Sequence, residues 1–555
     1  MENPDKVTYF AAADARGKNV PFGIKNSDRS KHMYVIGKTG MGKSTLLENL
    51  AIQDIINGEG LAFIDPHGQS ADDLLDYIPE HRKDDVVYLA PFDLEHPIAF
   101  NIMEDVGYDK RHLVVSGLMA TFKKIWQDAW SARMEYILTN TLLALLEYPD
   151  ATLLGVSRMY VDKEYRKDVV SHITDPVVKD FWEKEFAGYT DRFTQEATPA
   201  IQNKVGQFTS NPVIRNIIGQ PKSSFDMREI MDQKKILIVN LSKGRVGDTN
   251  ANLLGSMITT RLYLAAMSRA DLRSNELAKL PNFYFYVDEF QNFANETFAE
   301  ILSEARKYKL NLVIAHQYIE QMEDEVKDAV FGNVGTTVSF RVGPFDAETL
   351  ETIFTPKFTK EDIVNLGRFQ IYLSLMIDGV GSQPFSARTI PRIEAPEHSI
   401  RDEVIELSRK KYAHPRKGVE DVIFAALAPL QPAAKAMQKE RGQKPNNSPQ
   451  SQQARRPFER KDTKPKQEQS FKKKNEPRPE KSNEDLRAVL KKVAEEQKQT
   501  PKQHKKKDDG KDARPQDKDA LKKALQQAGV KEEVKEKEVQ GVPEEVLKKI
   551  VKNDS

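Results

Sequence analysis

Residues 33–45 read Met-Tyr-Val-Ile-Gly-Lys-Thr-Gly-Met-Gly-Lys-Ser-Thr, and this stretch decides the fold. A short apolar run ends at Gly37, a glycine-rich loop follows, and a helix-forming stretch runs from Lys43 to Ile56. Gly37 to Ser44 matches G-x-x-x-x-G-K-[ST] in full, the pattern of a phosphate-binding loop between a strand and a helix. Glycine lets the backbone wrap a phosphate with its N–H groups pointing inward, and the helix adds the positive end of its dipole. The expected cradle is Gly37, Lys38, Thr39, Gly40, Met41, Gly42, Lys43, Ser44 and Thr45. Lys43 is expected to reach the β- and γ-phosphates of ATP, and Ser44 to ligate Mg2+.

Such a loop needs an acidic partner. Tyr284-Phe285-Tyr286-Val287-Asp288-Glu289 supplies one, a strand ending in two carboxylates. Asp288 is expected to hold magnesium and Glu289 to polarise the attacking water as general base. His316-Gln317 ends the next strand, Asn311 to Ala315. Parallel strands line up their carboxyl ends on one ligand-binding edge, so Gln317 is placed to sense the γ-phosphate or orient water. Asp65-Pro66-His67-Gly68 ends another strand and should reach the same edge. Asp65 is placed to meet the metal's water shell or a neighbouring subunit, and His67 suits a structural or nucleotide-adjacent role better than metal ligation.

The rest of the chain sets the frame. Its 555 residues exceed one compact domain. Short apolar runs at Met33, Gly60 and Val86 alternate with helical stretches, which predicts a parallel sheet covered on both faces. From Asp105 to Met231 the pattern is helical, with Met134, Ile137, Leu138, Thr141, Leu142 and Leu145 on one face. Strand signals return at Lys235–Asn240, Asn282–Asp288, Asn311–Ala315, Thr336–Arg341 and Gln370–Ile377, and Arg401–Tyr412 reads as a closing helix. The expected organisation is a first ATPase part at 1–104, an all-α insertion at 105–231, a second ATPase part at 232–430 and a tail at 431–555. The tail is rich in Lys, Glu, Gln and Pro and is expected to be disordered, with three short helical islands.

Composition excludes several classes. There is no cysteine, so no disulfide framework, thiol nucleophile or cysteine zinc site. Net charge is +1, so any DNA surface must be a local patch. No run approaches the ~18 consecutive apolar residues of a membrane span, and no signal peptide is evident. The expected location is cytoplasmic. Basic tail segments at Arg455, Lys472 and Lys505 are interleaved with acids and read first as solvated linker. An arginine is expected at the γ-phosphate from a neighbouring subunit; Arg341 is favoured over Arg133, Arg245, Arg306 and Arg368.

The stretches YVIGKTGMGKST, GLAFIDPHG, WSARMEYILTNTLLALLE, ILIVNLSKGRVGD, FYFYVDEFQNF, LSEARKYKLNLVIAHQYIEQM and FQIYLSLMIDGVGSQPFSA occur in this order. Together they resemble the conjugative coupling ATPases of type IV secretion systems and the related HerA/FtsK translocases, over roughly Ser30 to Glu420. The resemblance implies a RecA-like fold with an inserted helical domain, a hexamer, and DNA passed through a central channel. It also implies ATP held between subunits. Many such proteins carry membrane helices before the ATPase domain; here the phosphate loop begins at Gly37. The expectation is a chain without its own anchor, peripheral to the membrane through a partner, with the tail docking an anchor, relaxase or nuclease. Two other readings stand beside conjugative transfer: a HerA-like DNA-processing or defence translocase working with a nuclease, and an ATP-gated recruitment module that binds proteins through its tail.

Overall fold

The computed structural model describes residues 3–15 and 18–428. The tail at 431–555, with the helical islands expected there and its basic segments, lies outside the described residues. Among the described residues thirteen strands form in chain order: β1 (Val7–Ala15), β2 (Lys18–Lys25), β3 (Met33–Ile36), β4 (Gly60–Asp65), β5 (Val86–Leu89), β6 (Ile236–Asn240) and β7 (Phe283–Val287), then β8 (Leu310–His316), β9 (Thr336–Ser339), β10 (Gln370–Ser374), β11 (Met376–Ile377), β12 (Val380–Gly381) and β13 (Phe385–Thr389). Eleven share one sheet in the order β2-β1-β13-β10-β9-β3-β8-β7-β4-β6-β5. Every pair from β9 to β5 is parallel, and every pair from β9 outward to β2 is antiparallel. The expected α/β fold with a mostly parallel sheet is present, with an added antiparallel wing.

Both faces of the parallel half are buried, so its strands read as continuous apolar runs. Tyr34 and Ile36 face one side, and Met33 and Val35 the other. In β7 the split is Phe283, Phe285 and Val287 against Tyr284 and Tyr286. The Met33 side packs on the helix Lys43–Ile56 through Leu46, Leu47 and Leu50. The Tyr34 side packs on the helical region, where Leu118 and Phe122 share a core with Ile258 and Leu262.

Between β5 and β6 every helix-or-strand element among the described residues is helical, beginning with the 3-10 turn Tyr108–Lys110 that leads into Arg111–Ile125 and ending with Met227–Asp232. Capping sets the starts: Ser131 accepts from the Met134 amide, and Asp175 and Asn211 each cap a helix whose next residue is proline. The helix Ala132–Glu147 buries Met134, Ile137, Leu138, Thr141, Leu142 and Leu145, the face read from the sequence. No helix of the described residues is long and apolar enough to cross a membrane.

Of the antiparallel wing the sequence predicts only β10, within Gln370–Ile377; β1, β2 and β13 go beyond that reading. β2 contains Pro21 and Gly23, which argue against a strand. It is the outermost strand, where proline's missing N–H costs nothing. A final helix, Arg416–Leu427, also goes beyond the expected Arg401–Tyr412; its Val419 and Ile423 form a small cluster with Leu154.

Candidate active site

Parallel pairing carries Gly37, Asp65, Asp288, Gln317 and Arg341 to the carboxyl edge of β3, β4, β7, β8 and β9. β8 lies between β3 and β7, so Gln317 falls between the loop and the carboxylates. The loop is pinned at its root: the Gly37 amide donates to the His316 carbonyl (3.2 Å) and the Lys38 amide to that of Arg341 (2.8 Å). A Cβ on Gly37 would lie 2.5 Å from Phe340 Cβ. Gly42, at φ +120°, cannot be replaced without strain and packs against the Phe369 ring. The amides of Gly40, Gly42, Lys43, Ser44 and Thr45 find no protein acceptor among the described residues. A curved row of unclaimed donors at a helix start fits a phosphate.

Lys43 is buried and its Nζ donates to the Gly37 carbonyl at 2.7 Å, with Glu289 Oε1 at 3.9 Å. Burial lowers its pKa, against the pull of Glu289 and Asp288. Ser44 Oγ donates to Asp288 Oδ2 at 2.8 Å. Burial first, and then the neighbouring Glu289, push the Asp288 carboxyl up to about 6. Two buried carboxylates beside a serine hydroxyl suit a divalent cation, which would remove that repulsion. No group of three or more His, Cys, Asp or Glu side chains among the described residues could hold a metal. Ser44 and Asp288 would therefore bind Mg2+ together with phosphate oxygens and water, as that ion prefers.

Glu289 has a left-handed backbone, φ +48°. Gln317 Nε2 donates to its Oε1, and Gln291 Nε2 to its Oε2 at 2.9 Å. Thr39 Oγ1 donates to Gln317 Oε1 at 2.9 Å, so Gln317 bridges the loop and the carboxylate. The structure thus brings Ser44, Asp288, Glu289 and Gln317 into one hydrogen-bonded cluster, with the Lys43 ammonium 3.9 Å from Glu289. Thr39 joins it through its hydroxyl, a contact beyond the backbone role the motif assigns it.

The other expected residues fall at different distances from this cluster. Asp65 is buried and accepts from the amides of His67 (2.7 Å) and Ala71 (3.0 Å), so it shapes its own turn. His67 is exposed. Asn240 Nδ2 holds that turn from β6 through the Gly68 carbonyl at 3.2 Å. Arg341, a half-buried residue, touches the loop through its backbone, and its side chain has no ion pair among the described residues. Arg133, Arg245 and Arg368 lie over Phe193, Phe92 and Phe369. His316 is fully buried, and burial holds its pKa down at about 3, so it is neutral. Its Nδ1 lies 3.2 Å from the Tyr34 hydroxyl. Sequence reasoning missed Gln291, Lys243 and Phe369. Lys243 Nζ donates to Asn292 Oδ1 at 2.8 Å, and the Phe369 amide to the Met41 carbonyl at 3.2 Å. Lys243 sits in the SKGRVGD stretch, which was the available signal.

A sheet with an extra strand between the phosphate loop and the acidic strand, and these side chains on its edge, defines a RecA-like P-loop ATPase. The family model for the type IV secretion-system coupling protein DNA-binding domain matches residues 18–366, and the chain belongs to that family. Among solved structures, the chain resembles the bacterial conjugative coupling protein TrwBdeltaN70 in its unbound monoclinic form. They share 16% identity over 72% of this chain and 92% of that one, with a TM-score of 0.50. The plasmid coupling protein TrwB in complex with a non-hydrolysable ATP analogue gives 17% identity, the same coverages and a TM-score of 0.51. TrwB in complex with ADP and Mg2+ gives 15% and 0.50, again over 72% and 92%. A search of curated proteins found no match.

Proposed function

We propose that this chain is a magnesium-dependent ATPase that binds DNA and moves it during conjugative-type transfer. One observation carries the reading: Lys43, Ser44, Asp288, Glu289 and Gln317 converge on a single sheet edge around unclaimed backbone donors. Family membership supports DNA as the partner, and the ADP–Mg2+ and ATP-analogue complexes of TrwB support the ligands.

In this reading the amides of Gly40, Gly42, Lys43, Ser44 and Thr45 grip the phosphates and Lys43 neutralises the β- and γ-oxygens. Ser44 and Asp288 would hold magnesium, which when bound would supply charge neutralisation at the phosphates. Glu289 accepts a proton from water as its oxygen attacks the γ-phosphorus and the bond to the β,γ-bridging oxygen breaks, giving ADP and phosphate. Gln317, tied to Thr39 and Glu289, is placed to register whether a γ-phosphate is present. The finer assembly belongs to the same proposal: a homo-oligomeric ring, six-fold in the family pattern, with Arg341 offsetting γ-phosphate charge. Membrane attachment through a partner protein also belongs to it.

The test is Glu289→Gln. It keeps the shape of the side chain, exchanges one accepting oxygen for an amide N–H2, and removes the base. It should bind ATP and retain it unhydrolysed. Turnover at the wild-type rate would contradict the assignment.

A further inference from the structure

The turn after the two carboxylates is gripped by a side chain from far along the chain. Glu289 is left-handed, and Phe290–Asn292 form a single 3-10 turn behind it. A non-glycine residue keeps such a conformation only where its surroundings fix it. Lys124, near the end of the helix Arg111–Ile125, supplies part of that fixing. Its Nζ donates to the Gln291 carbonyl at 2.6 Å and to the Ala294 carbonyl. One turn earlier on the same helix, Thr121 Oγ1 accepts from Asn295 Nδ2 at 3.3 Å. The Gln291 side chain points the other way and donates to Glu289 Oε2 at 2.9 Å.

An ammonium is an expensive way to close a turn. Among the described residues Lys124 has no carboxylate within ion-pair distance, and Glu323 acts on its charge only from farther off. Burial holds its pKa down at about 8. A packed apolar side chain would avoid that cost but would leave two carbonyls without a donor. Those two carbonyls belong to the segment that aims Gln291 at Glu289. The opposite wall of the segment is closed as well: a Cβ on Gly255 would lie 2.3 Å from the Phe293 ring. Lys243 on the Asn292 side chain and Thr121 on Asn295 hold the same segment, and Lys124 holds its Gln291 and Ala294 carbonyls.

We propose that Lys124 is a positioning residue for ATP hydrolysis: by gripping the Gln291 and Ala294 carbonyls it sets the turn that directs Gln291 onto Glu289. The inference rests on Glu289 as the base. It makes Lys124 a point at which the helical region between β5 and β6 touches the chemistry, two hydrogen-bonded steps from the water-activating carboxylate. Displacement of the helix Arg111–Ile125 is then felt at Glu289.

Lys124→Met keeps the length and apolar stem and removes the ammonium; Lys124→Arg keeps a cation. Steady-state ATP hydrolysis by the full chain is measured beside equilibrium binding of a fluorescent ATP analogue. Lys124→Met should lower turnover about 10- to 100-fold with nucleotide affinity within about twofold, because a small misplacement of a catalytic group costs rate more than binding. Lys124→Arg should recover much of the rate. Combined with Gln291→Leu, the loss should not exceed the larger single loss, since both act along one path. Full turnover in Lys124→Met, losses that multiply, or an affinity loss equal to the rate loss would each overturn the proposal. If Lys124→Met does not fold, Gln291→Leu decides: a rate loss at unchanged affinity supports it, and full turnover ends it. Glu289→Gln run in parallel separates the two claims. Wild-type turnover there removes the base assignment itself; an inactive Glu289→Gln beside a fully active Lys124→Met removes only this inference.

Discussion

Asp288→Asn should stabilise the protein while abolishing metal-dependent hydrolysis. Asp288 is 3% exposed, and burial together with Glu289 raises its carboxyl from 3.8 to about 6. A carboxyl that holds its proton more tightly when folded weakens folding as pH rises from about 4 to about 6. At 1.36 kcal/mol per factor of ten, the cost is on the order of 3 kcal/mol at pH 7.5, roughly half of that at pH 5 and less than about 1 kcal/mol at pH 4. Asparagine is neutral throughout and keeps the local bonds. Its Oδ1 can accept from the Glu289 amide, now 2.9 Å from Asp288 Oδ1, and its Nδ2 can donate to Ser44 Oγ, now 2.8 Å from Oδ2. Urea unfolding without nucleotide or magnesium, followed by tryptophan fluorescence at the three pH values, measures the gap. The variant should be more stable at pH 7.5 by up to about 3 kcal/mol, with the advantage shrinking toward pH 4. A variant less stable than wild type at pH 7.5, or a gap independent of pH, would refute the electrostatic reasoning.

Gln317→Leu breaks the bridge between Thr39 and Glu289. It should lower turnover about 10- to 100-fold with little change in ATP affinity, read from steady-state kinetics. Arg29 and Asp54 form a buried bidentate pair at 2.6 and 2.8 Å, and the Tyr286 hydroxyl bonds to both. Asp54→Ala leaves the Arg29 charge buried and unpaired and should cost about 3–5 kcal/mol in chemical denaturation. A chain ending at residue 430 should keep its DNA-stimulated hydrolysis; loss of stimulation would move the DNA response into the tail.

Much of this architecture is legible before any coordinates. The phosphate loop reads clearly because its glycines, Lys43 and Ser44 are dictated by backbone geometry and charge at fixed spacing. β3, β4, β5, β6, β7 and β8 read clearly because burial on both faces leaves unbroken apolar runs. The β1–β2 hairpin and β13 do not, since β2 carries Pro21 and Gly23 and the β13 sequence, Phe-Ser-Ala-Arg-Thr, alternates weakly. In the site, Asp288 and Glu289 follow from the end of an apolar strand. The partners that aim them do not. Gln291 and Lys124 act through a left-handed backbone and through carbonyls, and no residue pattern announces either. Thr39 lies inside the motif, but its hydroxyl bond depends on β8 lying between β3 and β7.

The central claim is that this edge of the sheet hydrolyses ATP in response to DNA. The most direct measurement is the ATP hydrolysis rate of the full chain with magnesium, with and without single- and double-stranded DNA, beside Lys43→Ala. The account predicts hydrolysis that rises on adding DNA and vanishes in Lys43→Ala. Hydrolysis that ignores both forms of DNA at low salt, or that survives in Lys43→Ala, would contradict it.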